Sequence, residues 1–200
     1  MILWRGLIAG AALALPLLQG CVEMAVVGTG VALATAADRR STGTQLEDRG
    51  IQLRVSNRID DRFGERVHVN VTVFNRFVLL TGEVADEAAR QESEALARGV
   101  PGVQGVSNDL QVAGMSSMTS RSNDTFITSQ VKARFTDANK FNVFHVKVVT
   151  EAAVVYLLGI VTEREAADAV EIARTTSGVR KVVKMFEYCK PDEGVCRPLS

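Results

Sequence analysis

Apolar and polar positions follow two different periods in turn along this chain. Ile51, Val55 and Ile59 recur four residues apart, which is the spacing of one face of a helix. Positions 67–73 then alternate valines with polar residues, as in a strand that is buried on one side. Positions 77–84 are again mostly apolar. This pattern predicts a helix followed by two strands.

The same order of elements returns further along the chain. Ile127, Val131 and Phe135 repeat the helical stripe at an offset of 76 residues. Alternation from 144 to 148 and an apolar run over 154–161 then repeat the two strands. Each pair of strands is predicted to meet in a hairpin turn, at Asn75-Arg76 in the first copy and Ala152-Ala153 in the second.

Each copy continues with an alanine-rich helix and a third strand. Asp86 and Glu163 place an acid near the start of these helices, where the helix dipole favours negative charge. The third strands are predicted over 106–112 and 182–188. The order α-β-β-α-β therefore occurs twice. We predict an α+β fold, in which each copy is a small three-stranded mixed sheet packed by two helices.

The repeat divides the chain into a leader, two domains and their connections. A domain of about 65 residues is near the lower size for independent folding, so packing of one copy on the other is expected to add stability. The predicted parts are a signal peptide over 1–20, a lipidated N-terminus and tether over 21–46, a first domain over 47–112, a polar linker over 113–123, a second domain over 124–188 and a C-terminal tail over 189–200.

The N-terminus resembles the leader of a bacterial lipoprotein. Arg5 precedes an apolar stretch from Leu7 to Leu18, which is too short to span a membrane. Leu18-Gln19-Gly20-Cys21 resembles a lipobox, which implies cleavage and acylation at Cys21. Val22, at the next position, resembles the residue that sorts such lipoproteins to the outer membrane. A plain secretory signal followed by an unrelated cysteine is the alternative.

Several stretches of sequence in the two copies resemble the BON domain. They are VFNRFVLLTGEV and ARGVPGVQGVSNDLQV in the first copy, and AAVVYLLGIVTEREAADAVEIARTTSGVRKVV in the second. With the lipobox and DRRSTGTQLED ahead of them, the chain resembles the dual BON-domain outer-membrane lipoproteins. That resemblance implies a lipid-anchored protein on the periplasmic face of the outer membrane. It also implies binding to anionic phospholipid and support of outer-membrane integrity and of the β-barrel assembly machinery.

Charge is distributed unequally between the two copies. The formal net charge of the whole chain is zero, which disfavours nucleic acid as a partner. Residues 47–112 hold 8 basic and 11 acidic side chains, whereas residues 121–188 hold 10 basic and 8 acidic ones. The second copy is therefore the one that an anionic surface would attract.

No catalytic motif stands out in the chain. The sequence has no GxSxG elbow, P-loop, GxGxxG or HExxH motif. His68 and His145, the only histidines, occupy equivalent positions and are predicted to be exposed residues of a strand. We expect a non-enzymatic protein without a cofactor or a metal ion. The carboxylates of the first copy are predicted to form a solvated face, namely Glu83, Asp86, Glu87, Glu92 and Glu94.

An aromatic residue distinguishes the first helix of the second copy from its twin. Phe126 lies about 140° from the centre of the buried stripe at 100° per residue, and the aligned residue in the first copy is Gly50. An exposed ring beside lysine and small residues is typical of a surface that contacts anionic lipid. The predicted lipid-binding residues are Phe126, Ser129, Lys132, Ala133, Thr136 and Lys140.

Two alternatives to this lipid surface remain at this stage. Phe126 could pack under the linker or against the first copy. The two domains could also act as a protein-interaction module, whose sheet face or edge docks on a partner such as the β-barrel assembly machinery.

Two cysteines stand close together near the C-terminus. Cys189 and Cys196 are expected to form a small disulfide loop in the oxidising periplasm, and two free thiols are the alternative.

Overall fold

The structure, a computed structural model, describes residues 38–114, 117–192 and 194–196. From Asp38 onwards the described residues form one compact unit. The predicted signal peptide, Cys21 and the tether up to residue 37 lie outside the described residues.

Both halves of this unit follow the order α-β-β-α-β, as the repeat predicts. The helices are α1 (Thr42–Phe63), α2 (Glu87–Arg98), α3 (Met118–Ala138) and α4 (Glu163–Arg174). The strands are β1 (His68–Phe74), β2 (Phe77–Val84), β3 (Gly105–Asn108), β4 (Gln111–Val112), β5 (Val146–Glu151), β6 (Val154–Val161) and β7 (Lys181–Tyr188). Helices α1 and α3 begin inside the segments predicted as tether and linker.

Each half contains one small mixed sheet. Strand β2 pairs antiparallel with β1 and parallel with β3 and β4, which together replace the single third strand predicted for this half. In the second half, β6 pairs antiparallel with β5 and parallel with β7. The predicted hairpin turns are confirmed, because Asn75, Arg76, Ala152 and Ala153 all have positive φ angles.

One predicted strand position is wrong. Phe144 was expected to alternate on the buried side of the strand that is now β5. It lies instead in a short 3-10 turn over Val143–His145, and its ring is 47% exposed. The strand begins two residues later, at Val146.

A buried aspartate on the first helix of each half closes the hairpin of that half. Asp48 accepts hydrogen bonds from the backbone amides of Asn75 and Arg76, at 2.7 and 2.8 Å. Asp124 does the same for the amides of Ala152 and Ala153, at 2.9 and 2.8 Å. Each turn is thereby held against its own helix.

The two domains pack against each other through their sheets. One face of each sheet covers the core formed with its own helices. The opposite faces meet in a separate apolar cluster, built on Phe74, Leu79, Tyr156 and Leu158. Burial of this cluster supports the expectation that each copy stabilises the other. It also means that neither sheet face is open to a third protein at this cluster.

Candidate membrane-contact surface

The outer face of α3 presents five of the six residues that the sequence assigned to a lipid surface, and the sixth, Lys140, lies two residues beyond the end of the helix. Ile127, Val131 and Phe135 are at most 1% exposed and form the inner stripe. Phe126 is 61% exposed, so most of its side chain faces solvent rather than the described parts of the linker and the first domain. The remaining predicted residues are all exposed as well, namely Ser129, Lys132, Ala133, Thr136 and Lys140.

The polar groups of this face differ in how available they are. The hydroxyls of Ser129 and Thr136 donate to helix carbonyls one turn earlier, so their protons are already used. The amine of Lys140 pairs with Asp168 at 2.8 Å. Lys132 has no ion pair among the described residues. Asp137, which sequence reasoning left out, lies about 20° from Phe126 around the helix.

Lys132 also lines a cavity where α1 and α3 approach each other. The cavity has a volume of about 420 Å³ and is lined by four cations, among them Arg49 and Lys147. Burial lowers the pKa of Lys147, and the nearby Arg40 lowers it further. Arg49, Lys132 and Lys147 have no carboxylate within ion-pair distance in the described part of the chain. Asp38 and Asp48 also line the cavity and both pair with Arg40, which leaves an excess of positive charge beside the α3 face.

The first helix of the first domain has exposed apolar side chains of its own. Leu46 and Leu53 are 62% and 65% exposed, seven residues apart on one side of α1. The comparison of Phe126 with Gly50 missed them because it considered one aligned position only. These leucines provide a matched surface against which the role of Phe126 can be measured.

Two neighbouring arginines ahead of α1 bind different domains. Arg39 donates to both carboxylate oxygens of Glu165, at 2.6 and 3.1 Å, and to the carbonyl of Ile160. Arg40 pairs with Asp48 at 2.7 Å, and its guanidinium carbon lies 4.0 Å from the centre of the Phe74 ring. The residues that lead from the tether into α1 are thus attached to both domains.

Glu165 is expected to make stability depend on acid pH. Its burial would raise the pKa, but hydrogen bonds from Arg39, the Thr162 amide and His145 outweigh burial and lower it from 4.5 to about 2. A depressed carboxyl pKa stabilises the fold above the unfolded pKa, and this contribution is lost as pH falls from 4.5 towards 2. Urea denaturation should therefore show Glu165→Gln to be about 2 kcal/mol less stable at neutral pH, allowing for solvent screening. At pH 2 the difference should vanish, whereas a constant difference would contradict this account.

The prediction that the two histidines are exposed is wrong. Both are partly buried: Nδ1 of His68 lies 2.9 Å from Glu83, and Nδ1 of His145 lies 3.1 Å from Glu165. Burial lowers the pKa of His145. Glu83 was predicted on a solvated face but is only 7% exposed, because the second domain covers that side of β2.

Two further features concern the C-terminal cysteines and the hydropathy of the helices. Cys189 and Cys196 form a disulfide, with Cα atoms 6.1 Å apart. Within the described ranges, no helix has the length and hydropathy of a membrane span.

Comparisons with known proteins converge on one family. A family model described as the BON domain matches residues 47–114 and 123–190. The chain is 39% identical to Outer membrane lipoprotein DolP of Haemophilus influenzae over 173 residues, covering 86% of this chain and 90% of that protein. It is 32% identical to the 21 kDa hemolysin of Actinobacillus pleuropneumoniae, covering 76% and 79% of the two chains. It is also 32% identical to Osmotically-inducible protein Y of Escherichia coli, covering 70% and 72%.

Solved structures add less. The C-terminal domain of CdsD, a structural protein of the type III secretion system of Chlamydia trachomatis, aligns with a TM-score of 0.30 and 9% identity. The alignment covers 69% of this chain and 96% of that one. A likeness of this size carries no argument about function. None of the three relatives found by sequence, from Haemophilus influenzae, Actinobacillus pleuropneumoniae and Escherichia coli, is named as an enzyme.

Proposed function

The chain belongs to the BON-domain family, as a dual BON-domain outer-membrane lipoprotein, and from this we propose that its second domain binds anionic phospholipid. The protein would be anchored through acyl chains on Cys21, face the periplasm and support the integrity of the outer membrane. It would act by binding rather than by catalysis. The observation that carries the proposal is the solvent-exposed ring of Phe126 on the outer face of α3.

Each side chain contributes modestly to the free energy of membrane binding, and the contributions add. Burial of a phenylalanine side chain contributes about 2 kcal/mol, and each lysine or arginine near an anionic surface contributes about 1 kcal/mol. Within the described residues Lys132 has no ion pair to break when it approaches a headgroup. A second attachment through the lipidated N-terminus would raise the effective concentration of the domain at the membrane.

Replacing Phe126 by glutamate is expected to weaken binding to phosphatidylglycerol vesicles by at least about tenfold, since it removes the apolar contact and adds a repelled charge. The measurement is vesicle co-sedimentation of the acyl-free protein, with phosphatidylcholine vesicles for comparison. Leu53→Glu, on α1, is the matched control, because it makes the same change at an equally exposed apolar side chain. Equal losses in the two variants, or no loss in Phe126→Glu, would contradict the assignment to α3.

A protein-interaction role requires a different surface from the one first considered. The sheet faces meet each other, so a partner such as the β-barrel assembly machinery would have to use a sheet edge. Strand β7 is at an edge of its sheet, and Tyr188 at its end is 58% exposed. Vesicle binding that survives Phe126→Glu, together with crosslinks from Tyr188 to a protein, would favour this alternative.

A further inference from the structure

Three potential metal ligands meet where the two domains pack together. His68 and Glu83 are opposite residues of the antiparallel pair β1–β2. Glu151, the last residue of β5, reaches them from the second domain. One nitrogen of His68 and one carboxylate oxygen of each glutamate lie within 4.8 Å of one another. In the sequence, Glu151 is 68 positions from Glu83 and 83 positions from His68, so the cluster joins distant parts of the chain.

The two carboxylates are buried and have no permanent cation beside them. Glu83 and Glu151 are 7% and 8% exposed. The ring of His68 lies at hydrogen-bond distance from Glu83, and Asn70 and Thr81 donate to Glu151, at 2.6 and 3.4 Å. In the described part of the chain, neither has a lysine or arginine within ion-pair distance. Buried carboxylates are ordinarily paired with a cation or bound to a metal.

The repeat shows that packing alone does not require these residues. The counterparts of His68, Glu83 and Glu151 at an offset of 77 are His145, Ile160 and Phe74. Ile160 and Phe74 belong to the apolar cluster between the sheets. The same two positions thus hold hydrocarbon in one context and converging carboxylates in the other. A specific role for the carboxylates explains the difference better than a general need for polarity.

Solvent has a route to the cluster. His68, Asn70 and Glu151 line a cleft of about 580 Å³, whose wall also carries Arg121 and Asp124. A divalent ion could enter there and displace the hydrogen bond between His68 and Glu83. The amide of Asn70 and the hydroxyl of Thr81 would then hold the carboxylate of Glu151 in place from outside the ligand set.

We propose that His68, Glu83 and Glu151 form a Zn²⁺ site that bridges the two domains. One imidazole and two carboxylates are ligands that Zn²⁺ accepts, and water would supply the fourth position of a tetrahedral site. The charge of two carboxylates balances that of the ion. Because one ligand comes from the second domain, a bound ion stabilises the contact between the sheets. This inference does not depend on lipid binding.

The test is a titration of the mature lipoprotein in neutral detergent with ZnCl₂, after removal of metal with a chelator. Calorimetry should show one ion per chain, and Zn²⁺ should raise the midpoint of thermal unfolding. His68→Gln and Glu151→Gln should each weaken binding by at least about tenfold. His145→Gln is the matched control, since it changes the equivalent histidine of the repeat and should leave Zn²⁺ affinity unchanged.

A second measurement avoids any variant that folds poorly. Co²⁺ in place of Zn²⁺ should broaden the amide signals of His68, Asn70 and Glu151 in the unmodified protein before those of other residues. Absence of one-to-one binding would overturn the proposal. So would equal losses of affinity in His68→Gln and His145→Gln, or broadening centred elsewhere.

Discussion

Gly82→Ala should destabilise the first domain by about 3 to 5 kcal/mol, which is most of the free energy of unfolding of a small domain. A Cβ atom at this position would lie 2.0 Å from the carbonyl oxygen of His68, which is backbone and cannot rotate away. The φ angle of Gly82 is also +111°, a conformation that side chains other than glycine rarely adopt. The close approach of the two backbones therefore leaves no room for a side chain at this position.

Urea denaturation of the variant gives the measurement, and two other glycines calibrate it. At Gly159, the counterpart in β6, a Cβ would lie 2.3 Å from the carbonyl oxygen of His145, so Gly159→Ala should also be severely destabilising. At Gly114 nothing lies within 4 Å, so Gly114→Ala should change stability by no more than about 0.5 kcal/mol. Similar small effects at all three positions would show that the strands can shift to admit a methyl group.

Asp48→Ala should cost about 3 kcal/mol of unfolding free energy. The change leaves the amides of Asn75 and Arg76 without their acceptor, and a lost partner for a buried group costs about 1 to 3 kcal/mol. Arg40 also loses one of its two carboxylate partners. Denaturation curves of the variant and the unmodified protein provide the comparison.

The repeat supplies the controls for this change. Asp124→Ala removes the same pair of turn hydrogen bonds in the second domain, where no ion pair of Asp124 is found among the described residues, and should cost about 2 kcal/mol. Asp137→Ala removes an exposed helix aspartate and should be nearly neutral. If Asp48→Ala were as mild as Asp137→Ala, the turns would not depend on these aspartates.

Local patterns were sufficient to predict the order of the helices and strands, although not every boundary. Stripes such as Ile127, Val131 and Phe135 and the alternation of β1 depend only on which side of an element faces the domain core. The exposure of Phe126 follows from the same reasoning. Phe144 was misplaced because the alternation of β5 continues back into a 3-10 turn of only three residues, which is too short to show a period of its own.

Features that depend on the contact between domains could not be predicted in this way. The alternation of β2 shows that Glu83 points away from the helices, and water is the default expectation for such a side. Only the structure shows that the sheet of the second domain covers it, which brings Glu151 to His68 and Glu83.

Contacts between distant positions of one domain were also beyond local patterns. The turn contacts of Asp48 and Asp124 join residues at least 27 positions apart. An aspartate at the same place in both copies was the one signal of that role within the sequence.

The adjacent arginines ahead of α1 have a mechanical consequence. Tension applied to the N-terminal segment would arrive first at Arg39 and Arg40, one of which holds the second domain and the other the first. Load is then divided between both domains before any helical turn of α1 is stretched. An anchor on the N-terminal segment would therefore hold both domains as one body.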